Sequence, residues 1–168
     1  MSAQIERMSS HVRTLAATTK RTSVEHAPAP EPAEAWLRST IREWRSLRPS
    51  VDVELAFTDL GDLPRLSVDP TLPQAIANLL NNAADASTAT GASRIRVEAS
   101  AGAGELSLRI LDRGPGLTTS PRGEGLGIGL LISNATVERF GGRVRRFERA
   151  GGGSVTEVAL PFVGTAVA

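Results

Sequence analysis

Two amide side chains, one helical turn apart, are the first residues in this chain that could do chemistry. Asn78 and Asn82 lie in the stretch NLLNNAADA. Because they are four residues apart, a helix places both on one face. Their carbonyl oxygens are suited to coordinating a hard cation. A solvated polar edge of the helix explains the same pair, so the spacing alone leaves both interpretations open.

A carboxylate followed by glycines is the second candidate. Asp112 comes directly after the apolar run at residues 106–111 and opens the sequence DRGPG, which contains Gly114 and Gly116. A carboxylate at a strand end can accept a proton from a ligand amino group, and glycines allow close approach of a backbone. An ordinary turn also uses Asp and Gly, so this motif by itself is a weak signal.

A glycine-rich stretch is the third candidate. GEGLGIGL covers residues 123–130 and leads into a predicted helix. Repeated glycines expose backbone N–H groups, and a helix N-terminus adds partial positive charge, so phosphates bind well at such a place. The stretch is not a P-loop, because GK[ST] is missing, and it does not sit in a βαβ unit. Alone, it is equally a flexible loop.

The periodicity of apolar residues predicts the elements that position these groups. Helical spacing predicts helices over residues 2–22, 34–47, 71–86 and 129–140. Apolar–polar alternation predicts strands over residues 51–57, 65–68, 94–99, 105–111, 143–149 and 154–160, of which the third with the fourth and the fifth with the sixth form hairpins. Strands grouped between long helices predict an α+β fold: a two-layer α/β sandwich, with a mostly antiparallel sheet and helices on one face.

Composition excludes several classes of function. The 168 residues carry 19 basic and 18 acidic side chains, a net charge of +1, with 4% aromatic residues and no cysteine. That balance argues against a surface for phosphate backbone or stacked bases, and it excludes disulfide and thiolate chemistry. No run approaches the roughly 18 apolar residues of a membrane span. The sequence therefore predicts a cytoplasmic protein that does not bind nucleic acid directly.

Taken together, the three segments resemble a known family. NLLNNAADA, DRGPG and GEGLGIGL are similar to the N, G1 and G2 boxes of the ATP-binding domain shared by sensor histidine kinases, gyrase, Hsp90 and MutL. The tail GGGSVTEVALPF resembles the closing strand of that domain, and the likeness covers residues 35–162. NLLxNA and this tail look most like two-component histidine kinases, and LLNNAADAS with DRGPG resembles the proteobacterial redox-responsive global-regulator sensor kinases. The resemblance implies a Bergerat-type ATP-binding fold.

The resemblance also implies roles for the polar residues. Asn82 would ligate Mg²⁺ bridging the phosphates of ATP or ADP, and Asn78 would support the metal–phosphate geometry. Asp112 would accept from the adenine amino group, with Ser154 nearby in the base pocket. Asn78 stands where ATPases of the superfamily carry a water-activating glutamate. Since an amide cannot act as a base, we expect weak ATP hydrolysis and transfer to a protein acceptor instead.

The glycines take their roles from the same resemblance. Gly114 and Gly116 would give the adenine close access to the backbone. The G2 box would form a mobile lid around the triphosphate, through Gly125, Gly127, Gly129 and Leu130. Only eight residues, LTTSPRGE, separate Gly116 from Gly125. Lids of this family are usually longer, and a short lid is expected to shield the phosphates poorly.

A further departure concerns charge near the phosphates. Many histidine kinases have Lys or Arg three residues after the metal asparagine, where this chain has Asp85. Arg113 or Arg122 could supply the missing positive charge. Both are equally explained as solvated loop residues.

The implied activity is donation of the ATP γ-phosphoryl group to a histidine on the dimerisation domain of the kinase, in the same protein or supplied in trans. A response regulator would then be an indirect partner, and the full-length protein would be a homodimer with this domain in the cytoplasmic portion of the sensor. His11 lies in a sequence that faintly resembles the phosphoacceptor motif, but Val12 replaces the acidic residue that follows it. We expect His11 not to be the acceptor and His26 to be inert.

The predicted organisation has three parts. Residues 1–24 form a helix left from the dimerisation domain, residues 25–33 a proline-rich linker, and residues 34–168 the ATP-binding catalytic domain. Two alternatives stay open at the level of sequence. One is a free-standing member of the superfamily, such as an anti-sigma-factor-like serine kinase, and the other is a nucleotide-binding interaction module without turnover.

Overall fold

The structure is a computed structural model that describes residues 29–58, 60, 64–117 and 126–163, with the backbone alone at residues 126 and 127. The predicted helix at residues 2–22, both histidines, Arg122 and Gly125 lie outside these ranges. The described elements, in chain order, are β1 (Glu31–Pro32), α1 (Ala33–Leu47), β2 (Asp52–Thr58), β3 (Arg65–Leu66), α2 (Thr71–Ala89), β4 (Arg94–Gly102), β5 (Glu105–Leu111), α3 (Leu126–Arg139), β6 (Arg143–Glu148) and β7 (Ser154–Pro161).

Five strands form the main sheet in the order β2-β4-β5-β7-β6. β2 and β4 run parallel, and the other three neighbouring pairs are antiparallel. Both predicted hairpins, β4–β5 and β6–β7, are confirmed. The prediction of an α+β fold with a mostly antiparallel sheet is therefore confirmed.

One face of the sheet is apolar and packs against the helices. Helical spacing predicts an apolar stripe on α1, and four of its residues are buried: Trp36, Leu37, Ile41 and Trp44. The fifth, Leu47 at the end of the helix, is instead 79% exposed. α2 buries Leu72, Ile76, Leu79, Leu80 and Ala83, also as predicted. These side chains form one core with residues such as Val97, Leu108 and Val158 from the sheet. Burial of this apolar surface is the main stabilising term for the fold.

The opposite face of the sheet carries pairs of opposite charge. Neighbouring strands are joined by ion pairs of Arg94 with Asp52 and of Arg96 with Glu54, both at 2.7 Å. Arg109 and Arg96 then share Glu98, each at 2.9 Å. Exposed pairs of this kind contribute little stability. Because a register shift of one residue would turn them toward the core, they help to specify which face of the sheet is outside.

Several boundaries differ from the sequence prediction. β1 pairs with β3, and Ala33 is fully buried, so residues 31–33 belong to the folded domain although the predicted linker includes them. α2 is three residues longer than predicted. α3 begins at Leu126 rather than at residue 129, so Gly127 and Gly129 lie inside a helix. Glycine has a low helix propensity, and tertiary packing overrides that preference here.

Within the residues that the structure describes, no helix combines the length and the hydrophobicity that a bilayer crossing requires.

Candidate functional site

Asp112 is placed by the pairing of two strands. β5 and β7 are antiparallel with Leu111 opposite Val155, so the end of β5 meets the start of β7. The backbone N–H of Asp112 donates to the carbonyl of Ser154 at 3.0 Å, which extends this ladder by one more bond. Asp112 and Ser154 are thereby held side by side, with exposed fractions of only 3% and 2%.

The Asp112 carboxylate is held by three short hydrogen bonds. Its Oδ1 accepts from the backbone N–H groups of Gly114 at 2.8 Å and of Ser154 at 2.9 Å. Its Oδ2 accepts from the Ser154 hydroxyl at 2.6 Å. A carboxylate has about four acceptor positions. One position, on Oδ2, thus stays available to a donor that comes from a ligand, which suits a neutral amino group such as that of adenine.

Two arginines of the β6–β7 hairpin contact Asp112 and Ser154. Arg149 donates from Nη1 to the backbone carbonyl of Asp112 at 2.9 Å. Arg146 reaches the Ser154 hydroxyl at 3.4 Å, a weak contact. The guanidinium groups therefore contact the backbone and the serine, whereas the carboxylate itself accepts from backbone N–H groups and a hydroxyl.

Gly153 is required by this geometry. It has a φ of +92°, and a Cβ there would overlap the carbonyl oxygen of Asp112 and lie 2.8 Å from its carbon. Only glycine allows the two backbones to come so close in this conformation.

The DRGPG loop is attached to α2. The N–H of Arg113 donates to the hydroxyl of Ser87 at 3.0 Å, and the Thr90 hydroxyl donates to the Arg113 carbonyl at 2.7 Å. Gly114 lies so close to the helix that a Cβ would be 2.7 Å from the Cβ of Ala86. The loop can take this position because residue 114 has no side chain.

The two asparagines lie on the same row of α2 as Ala86. Asn78, Asn82 and Ala86 are separated by four residues each, so they follow one another along one helix face. Both asparagines are half-buried. Asn78 Oδ1 accepts a long hydrogen bond of 3.3 Å from Gln74, and Asn82 has no side-chain hydrogen bond within the described residues. The row runs for about 12 Å, from Asn78 to the loop that contains Asp112.

The start of α3 is the third part of the site. Gly127 and Gly129 lie in its first turn, where backbone N–H groups have no partner within the helix. Leu130 is partly buried against the core. Leu131 is 68% exposed, Ile128 56% and Ile132 48%, so α3 shows an apolar face to the outside at this end.

A carboxylate from β6 holds the end of the DRGPG loop. Glu148 Oε1 accepts from the backbone N–H of Leu117 at 2.7 Å. Gly116 has a φ of +83°, and a Cβ there would lie 2.7 Å from Glu148 Oε2. Leu117, the first residue of the predicted lid, is therefore tied to the β6–β7 hairpin.

A second carboxylate joins the two helices of the site. Asp69 Oδ1 accepts from the backbone N–H of Thr71 at 2.8 Å, at the start of α2, and Oδ2 pairs with Arg139 of α3 at 3.1 Å. Partial burial raises the pKa of Asp69, but the hydrogen bonds from Thr71 and the charge of Arg139 outweigh it, so the pKa is lowered overall. Asp69 thus stabilises both helices in its ionised form.

Several of these supporting residues were not predicted from the sequence. Ser87, Arg149 and Glu148 act only through contacts between distant parts of the chain. Asp85 forms an ion pair with Arg48, and the Arg113 side chain is exposed. Among the described residues, no cluster of three or more His, Cys, Asp or Glu side chains is arranged to hold a metal ion, so a cation here would depend on amide and phosphate oxygens.

Comparison with known proteins identifies the domain. Residues 68–164 match the family described as histidine kinase-, DNA gyrase B-, and HSP90-like ATPase. The chain is 35% identical over 124 residues to the C4-dicarboxylate transport sensor protein DctS of Rhodobacter capsulatus, a match that covers 65% of this chain and 19% of DctS. It is 30% identical over 124 residues to the sensor histidine kinase ZraS of Escherichia coli (strain K12), covering 67% of this chain and 26% of ZraS. The chain thus spans about a fifth to a quarter of these relatives.

Solved structures agree on the fold. The mycobacterial sensor histidine kinase MprB superimposes with a TM-score of 0.64 at 23% identity, over 80% of this chain and 97% of that one. The nucleotide-free catalytic domain of histidine kinase ThkA gives 0.59 at 22% identity, over 75% and 93%. The predicted Bergerat fold is confirmed, while the finer likeness to redox-responsive kinases stays a prediction. The chain belongs to the family of histidine kinase-, DNA gyrase B- and HSP90-like ATPases.

Proposed function

We propose that this domain binds Mg–ATP and donates its γ-phosphoryl group to a histidine on the dimerisation domain of the kinase. The observation that carries the proposal is the Asp112 carboxylate, which is buried, held by three hydrogen bonds, and left with one acceptor position. The adenine amino group is a donor of the type that this position lacks. Ser154 orients the carboxylate, and Gly114 keeps the backbone close enough for the base to reach it.

The row of asparagines supports the phosphate part of the proposal. Asn82 has a side-chain oxygen without a protein partner, and Mg²⁺ prefers oxygen ligands and usually keeps several waters and phosphate oxygens. Asn82 would hold the metal, and Asn78 would orient its surroundings. When bound, the metal neutralises charge on the phosphates during phosphoryl transfer. The first turn of α3, with Gly127 and Gly129, would offer N–H groups to the same phosphates.

The amide at Asn78 supports transfer rather than hydrolysis. An amide cannot take a proton from water, so nothing in this row activates a water molecule. The acceptor imidazole instead attacks phosphorus with its own lone pair. A P–N bond forms, the bond between the γ-phosphorus and the bridging oxygen breaks, and ADP leaves.

The exposed apolar face of α3 supports the choice of partner. Ile128, Leu131 and Ile132 lie beside the phosphate end of the site, and an exposed apolar patch marks a protein contact surface. A dimerisation domain that packs there would bring its histidine toward the γ-phosphate. We place the domain in the cytoplasmic part of the sensor, from about residue 31 onward, with residues 1–24 as the remnant of the dimerisation domain and the intervening residues as its linker.

Calorimetric titration with ADP in the absence of Mg²⁺ tests the base pocket. We expect Asp112→Asn to weaken ADP binding about 10- to 100-fold, because a hydrogen bond to a charged acceptor contributes about 1.5–3 kcal/mol. Asp52→Asn makes the same chemical change on the outer face of the sheet and is expected to bind ADP like the wild type. Unchanged affinity in a folded Asp112→Asn protein would contradict the proposed pocket.

Phosphotransfer in trans tests the reaction. We expect radiolabel from γ-labelled ATP to appear on a supplied dimerisation domain as an acid-labile phosphohistidine. Acid-stable label on a serine would favour the anti-sigma-factor-like kinase. ATP binding without any transfer would favour the interaction module.

A further inference from the structure

A basic groove lies between α1 and β2, away from the residues of the nucleotide site. It has a volume of about 490 Å³. Arg38, Arg42 and Arg45 line it along α1, and its apolar lining includes Ile41 and Leu55. The groove thus combines positive charge with an apolar wall, and no acidic side chain is among its described lining residues.

Two of the three arginines are not engaged. Arg38 pairs with Glu34 at 2.7 Å, and its guanidinium lies 4.6 Å from the centre of the Phe57 ring. The side chains of Arg42 and Arg45 are exposed and form no hydrogen bond or ion pair with any residue that the structure describes. Each can therefore bind a carboxylate with two parallel hydrogen bonds.

The adjoining strand has a free edge. Among the residues that the structure describes, β2 is an outermost strand of the main sheet and pairs only with β4. The N–H of Asp52 points to β4, where it donates to Ser93 at 2.7 Å. Because successive residues of a strand point their backbone groups to opposite sides, Val53, Leu55 and Phe57 direct theirs to the open edge. Such an edge is a template for another strand.

We propose that this groove binds an extended acidic segment of a partner protein, which adds to β2 as a sixth strand. A peptide backbone supplies both the donors and the acceptors that the free edge needs, and carboxylates match the charges of Arg42 and Arg45. Nucleic acid would satisfy the arginines but not the strand edge. A second copy of this chain would bring two sets of arginines together, and like charges oppose that pairing.

The two available arginines limit the sequence of the segment. Arg42 and Arg45 are three residues apart on α1, a rise of about 4.5 Å. Alternate residues of a strand are about 6.6 Å apart. Because arginine side chains are long, acidic residues at alternate positions, with a β-branched residue between them, would bring successive carboxylates within reach of both guanidinium groups.

Fluorescence anisotropy with the full chain tests the proposal. The probe is a labelled nine-residue peptide that alternates valine and glutamate, and its control has glutamine in place of glutamate. We expect the acidic peptide to bind at least 10-fold more tightly than the control. The double variant Arg42→Gln/Arg45→Gln should bind the acidic peptide at least 10-fold more weakly than the wild type. The control variant Arg143→Gln/Arg145→Gln makes the same charge change on β6, at the other edge of the sheet. Its affinity for the acidic peptide should fall less than twofold.

Amide hydrogen exchange distinguishes strand addition from simple charge attraction. We expect the acidic peptide to protect the amides of Val53, Leu55 and Phe57. Unprotected amides, equal affinity for the glutamine peptide, or equal affinity for a single-stranded oligonucleotide of the same charge would overturn the proposal. Dimerisation of the chain in place of peptide binding would overturn it as well, because the occupant would then be a second copy.

Discussion

The two ends of the candidate nucleotide site differ in how completely the protein has built them. At the base end, Asp112, Ser154 and Gly153 are packed together, and the carboxylate already accepts three hydrogen bonds. At the phosphate end, Asn82 has no side-chain partner among the described residues, and the first N–H groups of α3 have no acceptor within the helix. The base end is thus pre-organised by the protein, and we expect the phosphate end to depend more on the ligand. We therefore expect that a substitution at one end can weaken recognition of the adenine or of the phosphates without weakening the other.

The largest effect is expected at the base end, from Gly153→Ala. The new Cβ overlaps the Asp112 carbonyl, and the φ of +92° is strained for alanine. We expect a loss of about 3 kcal/mol or more in the free energy of unfolding, together with loss of ADP binding. Thermal and urea unfolding measure the first, and calorimetry the second.

Gly152→Ala is the matched control for that variant. Gly152 also has a positive φ, of +101°, but its Cβ would meet nothing within 4 Å. Backbone strain alone costs about 1–2 kcal/mol. If Gly153→Ala and Gly152→Ala were equally destabilising, the close approach of residue 153 to Asp112 would not be the reason that a glycine is needed there.

The Asp69 contact, which joins the start of α2 to the end of α3, is expected to depend on pH. The pKa of Asp69 is lowered from its ordinary value of 3.8. A carboxyl with a lowered pKa in the folded state contributes stability above its unfolded pKa, and that stability is lost as the pH falls through the folded pKa. We expect Asp69→Ala to lose about 1 kcal/mol at pH 7. As the pH falls through this lowered pKa, the urea unfolding of the wild type should approach that of the variant.

Asp69→Asn separates the charge from the hydrogen bond in this contact. Asparagine can still accept from the Thr71 N–H at the start of α2, but it cannot pair with Arg139. We expect an intermediate loss at pH 7, without the pH dependence below 4. If Asp69→Asn kept the full pH dependence of stability, another carboxyl group would be responsible for that dependence.

The smallest effect is expected where the two ends are connected. Glu148→Ala removes the acceptor of the Leu117 N–H, a bond that contributes about 1 kcal/mol. We expect exchange of the Leu117 amide to accelerate by about fivefold, with a two- to threefold loss in ATP binding and a smaller loss for ADP. Glu148→Gln keeps an acceptor and should behave more like the wild type. Equal losses for ATP and ADP would show that Glu148 does not act through the lid.

The sequence predicts local features of this molecule better than its long-range contacts. The stripes of α1 and α2 and the two hairpins follow from periodicity, and Asp112 is recognised because it directly follows an apolar strand and opens DRGPG. The β1–β3 pair is two residues long on each side and carries no periodic signal. α3 begins in a glycine-rich stretch whose propensity argues against a helix. The contacts of Ser87 and Arg149 join residues 26 and 37 positions apart, and no local pattern indicates them.

The predicted lid is a second feature for which the sequence indicates the length but not the attachment. The short stretch between Gly116 and Gly125 was expected to shield phosphates poorly, and most of it lies outside the described residues. What the structure adds is the attachment of its first residue, Leu117, to Glu148. Sequence spacing predicts the length of a lid but not where it is anchored, because the anchor comes from β6, 31 residues later.

The claim that base and phosphates are recognised by separate ends is tested most directly by ADP titrations of two variants, with and without Mg²⁺. We expect Asp112→Asn to lower the affinity for ADP about 10-fold or more in both conditions, since the adenine contact does not involve the metal. Asn82→Ala should match the wild type without Mg²⁺ and lose the gain in affinity that Mg²⁺ provides. Thr88→Ala, an exposed position on the same helix, is the control for Asn82→Ala. If Asn82→Ala weakened binding equally with and without Mg²⁺, the division of the site into a base end and a metal-dependent phosphate end would be contradicted.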